Sequence, residues 1–187
     1  MPRIEDLADL YAQHVATPWQ RTVAGAQRVI MVVYDKELER VVRARKLAFE
    51  NATRQAGHDW FEVDLAEAFS RWLAADEYRD AYLESPDDLQ LKLEAEFAEH
   101  AAGIIRDVLT RSEVNDQSVV AVFGAGSLYG FTHVSRVVKL VEGDIRGRLL
   151  IFFPGSYDQN NYRLLDARDG WNYLAVPITL SGTGGAA

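Results

Sequence analysis

Val29, Ile30, Met31, Val32, Val33 and Tyr34 form an unbroken apolar run between Arg28 and Asp35. The run is too short for a helix and lacks the alternation of a half-solvated strand, so it reads as a strand covered on both faces. Ser118 to Phe123 and Leu149 to Phe153 repeat the pattern, which belongs to parallel sheets with helices packed on either side. The intervening text supplies those helices. Ile4, Leu7, Tyr11 and Val15 recur at helical spacing between Pro2 and Pro18, predicting a helix from about residue 3 to 16. Asp35 is placed to cap a helix in which Leu38, Val42, Arg45, Phe49 and Ala56 share a face up to Gly57. Ala66 to Ala75 is helical text. Ser85 and Pro86 open a long helix carrying Leu89, Leu93, Phe97, Ala101, Ile105 and Val108, and Phe131, Val134, Val138 and Val141 mark the buried face of another. Trp60 to Leu65 adds a shorter second strand and Tyr173 to Ile178 a fifth. The prediction is an α/β fold: a three-layer domain with a central, mainly parallel sheet of about five strands and helices on both faces.

With 187 residues and no linker rich in Pro, Gly or Ser, residues 1–180 read as one domain, and SGTGGAA at 181–187 as a disordered tail. Lys and Arg number 20 against 28 Asp and Glu, a net charge of −8, which argues against direct nucleic-acid binding, since that rests on cationic contacts to phosphate. The absence of cysteine removes disulfides, thiolate metal sites and thiol catalysis. No signal-peptide pattern opens the chain and no long apolar span follows, so the expectation is a cytoplasmic protein without a membrane partner.

Ligands of open parallel sheets collect outside the carboxyl ends of the strands, here the loops starting at Asp35, Asp64, Gly124 and Pro154. Gly124, Gly126 and Ser127 stand between a strand and a helix and are the candidate phosphate-binding residues. The spacing to Gly130 is G-x-G-x-x-x-G, one residue too long for the dinucleotide fingerprint, and the same glycines suit a tight turn and close helix-sheet packing. Ser127 is no hydrolase nucleophile by pattern: Ala125 and Tyr129 occupy the flanking glycine positions, and the only later histidine, His133, lies on the same predicted helix. Asp35 and Asp64, expected on neighbouring strands, invite Mg²⁺, but no D-x-D pair supports them, and Glu62 is expected to point away from Asp64. The four histidines have no metal-ligand spacing. The expectation is therefore no catalytic residue, no metal and no cofactor.

The most unusual text is Pro154 to Ile178. Tyr157, Asp158, Asn160, Asn161, Tyr162 and Arg163 crowd into a polar, aromatic loop at a strand's carboxyl end, a composition enriched at protein interfaces, and they are the candidate partner-binding residues. A loop knitted internally by Asn and Asp turns has the same composition. Arg40, Arg43, Arg45 and Lys46 read as a solvated basic helix face.

AQRVIMVVYD, GAGSLYGF and above all FFPGSYDQNNYRLLDARDGWNYLAVPI resemble the BrxB family of bacteriophage exclusion (BREX) systems, from about Leu7 to Thr179. The resemblance implies a small component of phage defence, encoded beside a large ATPase, a DNA methyltransferase and the alkaline-phosphatase-like protein PglZ. It further implies association with those larger partners, a PglZ-like protein first and the ATPase second, and it carries over no catalytic residues.

Overall fold

A computed structural model describes residues 3–167 and 170–180. The chain opens with α1 (Ile4–Val15), β1 (Val29–Tyr34), α2 (Glu39–Ala44), α3 (Lys46–Gln55) and β2 (Asp59–Asp64). There follow α4 (Ala68–Ala75), α5 (Arg79–Glu84), α6 (Gln90–Lys92), a π-helical turn over Leu93–Phe97, α7 (Ala98–Leu109) and β3 (Ser118–Phe123). The last third holds α8 (Val134–Val141), β4 (Arg148–Asp158), β5 (Asn161–Leu164), β6 (Trp171–Asn172) and β7 (Val176–Ile178). The strands line up as β2-β3-β4-β1-β7, every neighbouring pair parallel.

Successive side chains of a strand point to opposite faces, and here each face meets its own core. Ile30, Val32, Leu150, Phe152 and Phe123 pack with Leu7, Tyr11, Val42 and Phe49 from α1, α2 and α3. Val29, Met31, Val33, Val120 and Ile151 pack with Phe97, Ala101, Ile105 and Val138 from the other layer. Two cores on one sheet are why β1, and β3 from Val119 onward, are apolar at every position and buried throughout. The predicted α/β class, its layers and its parallel sheet are those of the molecule.

Four expectations need correction. The helix after Asp35 is a 3₁₀ turn followed by two helices broken at Arg45 (φ −104°, ψ 10°). The long helix after Ser85 begins as a 3₁₀ turn at Pro86–Leu89 and passes through the π-helical turn before α7, with no cap bond from the Ser85 side chain. The fifth strand, expected from Tyr173 to Ile178, is only Val176–Ile178, and the Tyr173 N–H is turned instead to the hairpin, donating to the Asn160 carbonyl at 3.1 Å. β1 and β2 are not neighbours: β3 and β4 lie between them. The predicted tail at 181–187 lies outside the described residues.

The chain leaves β1 through α2 and α3 to reach β2 on one side, while the chain leaving β4 reaches β7 on the other side of β1. The carboxyl ends of β1 and β4 thus flank a topological switch point, where sheets of this kind open a crevice.

Candidate functional site at the carboxyl edge of the sheet

At the end of β1 the Tyr34 hydroxyl donates to Glu39 Oε2 at 2.5 Å, and Arg43 Nε donates to Glu39 Oε1 at 2.9 Å. Arg43 also forks onto Asp64, with its two terminal nitrogens 2.7 and 3.2 Å from the two carboxylate oxygens, while the Ala66 N–H donates to Asp64 Oδ1 at 2.9 Å. The Arg43 hydrogen bond holds the Asp64 carboxyl below the usual range. Burial, then the bond to Glu39, raises the Tyr34 phenol well above its ordinary value. Glu62 and Asp64 do not point to opposite faces as expected; residues two apart on a strand share a face. Glu62 has its own cation on that face, Lys46 Nζ at 2.8 Å, and accepts from Trp60 Nε1 at 3.0 Å. Asp35 accepts from the Glu37 N–H at 3.3 Å and caps the 3₁₀ turn. Asp35 and Asp64 therefore do not form a pair, and among the described residues no three His, Asp or Glu side chains group as a metal site.

The glycine turn meets the chain at the end of β2 and Pro154 of β4. Gly124 has φ +77°, and a Cβ there would stand 2.7 Å from the Ala66 nitrogen and from Asp64 Oδ1. A Cβ on Gly126 would stand 3.2 Å from Pro154 Cγ. Ser127 Oγ lies 2.7 Å from both the Leu65 and Gly124 carbonyl oxygens. The candidate phosphate residues thus sit together, and close approach to the start of the loop after β2 and to Pro154 of β4 accounts for the two glycines. His133 precedes α8 with extended backbone (φ −92°, ψ 135°) instead of lying within it.

Beyond Pro154, β4 leaves the sheet and folds back on β5 as an antiparallel hairpin with Ser156 opposite Arg163 and Tyr157 opposite Tyr162. Gln159 and Asn160 both have positive φ, 46° and 65°, the geometry of the two-residue turn that matches strand twist. One face of the hairpin is aromatic: the Tyr162 ring lies 4.8 Å from Tyr157, 5.8 Å from Phe153 and 5.9 Å from Trp171, centroid to centroid. Tyr162 is 1% exposed and its hydroxyl donates to the Ala175 carbonyl at 3.3 Å, so it belongs to the core and is withdrawn as a surface contact. The Tyr157 hydroxyl, half-buried, donates to Asn160 Oδ1 at 3.0 Å across the turn. Asn161 is half-buried with its carboxamide against Gly170. Asp158, Asn160 and Arg163 are exposed, joined by Ser156 and Gln159, which the sequence reading does not single out.

Two hollows flank this hairpin. A cleft of about 500 Å³ opens at the switch point, with Arg3, Tyr34, Asp35, Ser156 and the Lys36–Asp166 ion pair on its walls. The Asp166 hydrogen bond raises the Lys36 ammonium pKa. A cavity of about 260 Å³ lies behind the hairpin, walled by Phe131, Thr132, Ser135, Tyr162, Leu164 and Trp171.

These features define a parallel, three-layer α/β domain whose distinguishing part is the hairpin at its carboxyl edge. The model of one family, BREX protein BrxB, matches residues 62–178, more than half of the chain, and the chain belongs to that family. The matched region runs from within β2 to the end of β7 and includes the glycine turn and the whole hairpin. The protein is accordingly a member of a phage-defence component family. No curated protein and no solved structure matches the chain. Among the described residues, no helix is long and apolar enough to cross a membrane.

Proposed function

We propose that this protein is a non-enzymatic adaptor of a BREX defence complex, acting in the cytoplasm, which holds a larger operon partner through the outer face of the β4–β5 hairpin. The observation that carries this reading is the hairpin's two-sidedness. Its aromatic face is fixed in the core, whereas Ser156, Asp158, Asn160 and Arg163 face outward on a pre-ordered support. Ordering is part of the cost of association, and a braced hairpin has met it before a partner arrives. The polar groups of the carboxyl edge support the non-enzymatic part, since Asp64, Glu39, Arg43 and Ser127 are each engaged by a neighbour within the fold. The PglZ-like protein is the first expected partner and the BREX ATPase the second.

Affinity capture of the tagged chain from cells carrying the whole operon tests this reading. The expected result is retention of the PglZ-like protein in fixed proportion. Capture of no operon protein, or steady ATP hydrolysis by the chain that a Ser127→Ala substitution abolishes, overturns it.

A further inference from the structure

None of the six residues of α5 is buried. A helix of a globular protein ordinarily lays one apolar face on the core, whereas α5 touches chiefly its chain neighbours, α4 and the 3₁₀ turn at Pro86–Leu89. It is nonetheless fastened. Lys92 Nζ of α6 lies 3.1 Å from Asp76 Oδ2 and 5.3 Å from the centre of the Tyr82 ring, and Arg79 Nη1 donates to the Ala74 carbonyl at 3.0 Å. Around this clasp stand three apolar side chains in solvent: Tyr78 is 58% exposed, Leu83 67% and Leu91 91%. Each is one or two residues from Asp76, Tyr82 or Lys92, so the clasp keeps their chain segments side by side.

The charge of this segment says what can cover it. From Asp76 to Asp88 six carboxylates accompany a single basic residue, Arg79, a net charge of −5 in a chain of −8. Among the described residues only Asp76 and Asp80 of the six form ion pairs, with Lys92 at 3.1 Å and with Arg79 at 3.7 Å. Glu77, Glu84, Asp87 and Asp88 are exposed. We propose that this face docks a basic segment of a protein partner, whose apolar side chains meet Tyr78, Leu83 and Leu91 while its lysines and arginines meet the surrounding carboxylates. The inference rests on the adaptor reading and supplies the second surface that joining two proteins requires, the hairpin being the first. Apolar contacts inside a charged rim are the ordinary anatomy of an interface. Like charge excludes the other occupants: nucleic acid and anionic lipid are repelled, and so is the same face of a second copy, which carries the same −5. The clasp orders the segment before a partner arrives, which lowers the cost of association.

Carbodiimide crosslinking, which joins carboxylates to lysine amines, tests the face in complexes captured by the tagged full chain from cells carrying the whole operon. Crosslinks are expected from Glu77, Glu84, Asp87 or Asp88 to lysines of an operon protein. Leu83→Gln combined with Leu91→Gln keeps good helix formers and changes only exposed side chains, so its melting temperature should match wild type. That variant should bind the crosslinked protein roughly tenfold or more weakly while retaining the protein held at the hairpin. Glu84→Lys combined with Asp88→Lys reverses charge, leaves the apolar side chains in place and should weaken the same protein. Asp158→Ala combined with Arg163→Ala should do the opposite, releasing the hairpin's partner and keeping this one. If both α5–α6 variants bind every operon protein as wild type does, the docking face is wrong and the adaptor reading stands. Crosslinks from the four carboxylates that end only on lysines of this chain, Lys46 or Lys139 among them, also overturn it, since they mark contact within or between copies. A wild-type chain that captures no operon protein overturns both readings.

Discussion

β4 passes through two environments along one strand. From Arg148 to Pro154 every side chain is buried, and from Gly155 to Asp158 half-buried and exposed positions alternate. The first stretch pairs in parallel with β1 and β3 under helices on both faces; the second pairs antiparallel with β5 and has one face in the core and one in solvent. Packing therefore dictates residue type at every position of the first stretch and at every second position of the other. The free positions of the hairpin, Ser156, Asp158 and Arg163, are those where recognition can be written without cost to the fold.

That contrast breaks if the sheet tolerates what the hairpin tolerates. The largest effect is expected at Phe152, which is fully buried with its ring stacked 4.4 Å from Phe123 and edge-on to Phe49 at 4.9 Å. Phe152→Ala should cost about 3–5 kcal/mol in urea denaturation. At the glycine turn, Gly124→Ala meets both a positive φ and a Cβ position 2.7 Å from the Ala66 nitrogen. A loss of about 1–3 kcal/mol is expected there. The packing explanation of the turn also predicts that ATP and ADP leave the melting temperature of the wild type unchanged; a nucleotide-dependent shift that Gly124→Ala removes would instead support phosphate binding.

Acidification should produce a smaller change. Burial lowers the His58 pKa from 6.5, with Arg148 adding to the effect, and burial likewise lowers those of His14 and His100. A histidine with a depressed folded pKa binds fewer protons folded than unfolded, so its contribution is fully present above about 6.5 and is lost as pH falls toward the folded value. Asp64 acts in the same direction at lower pH, its contribution present above 3.8 and lost as pH falls through its depressed folded value. The melting temperature should therefore fall between pH 7 and pH 5, and His58→Gln should flatten that slope; a slope that is unchanged or steeper in the variant contradicts the assignment.

Much of the sheet is legible in the sequence because burial on both faces leaves unbroken apolar runs, as at Val29 to Tyr34. Strand order is not legible in those runs, since nothing local states that β3 and β4 separate β1 from β2. The hairpin is harder to see for a different reason. Its turn, Gln159–Asn160, lacks the glycine that usually marks positive φ, so the stretch reads as a polar loop. The alternation of Asn161, Tyr162, Arg163 and Leu164 does carry the signal of a strand with one face inward, and it is this period of two that takes Tyr162 into the core and leaves Arg163 outside. The cavity behind the hairpin has no sequence signature, because its walls come from residues far apart in the chain, such as Phe131 and Trp171, that only the fold brings together.

If the hairpin divides its work as proposed, stability rests on its inner face and partner binding on its outer one. Asp158→Ala combined with Arg163→Ala changes only exposed side chains, and its stability should stay within about 0.5 kcal/mol of wild type per site. Calorimetric titration of that variant with the PglZ-like protein is the most direct test. The expected result is an unchanged unfolding transition with affinity reduced about thirtyfold or more, the scale of a lost interface hot spot. Wild-type affinity in the folded variant would contradict it.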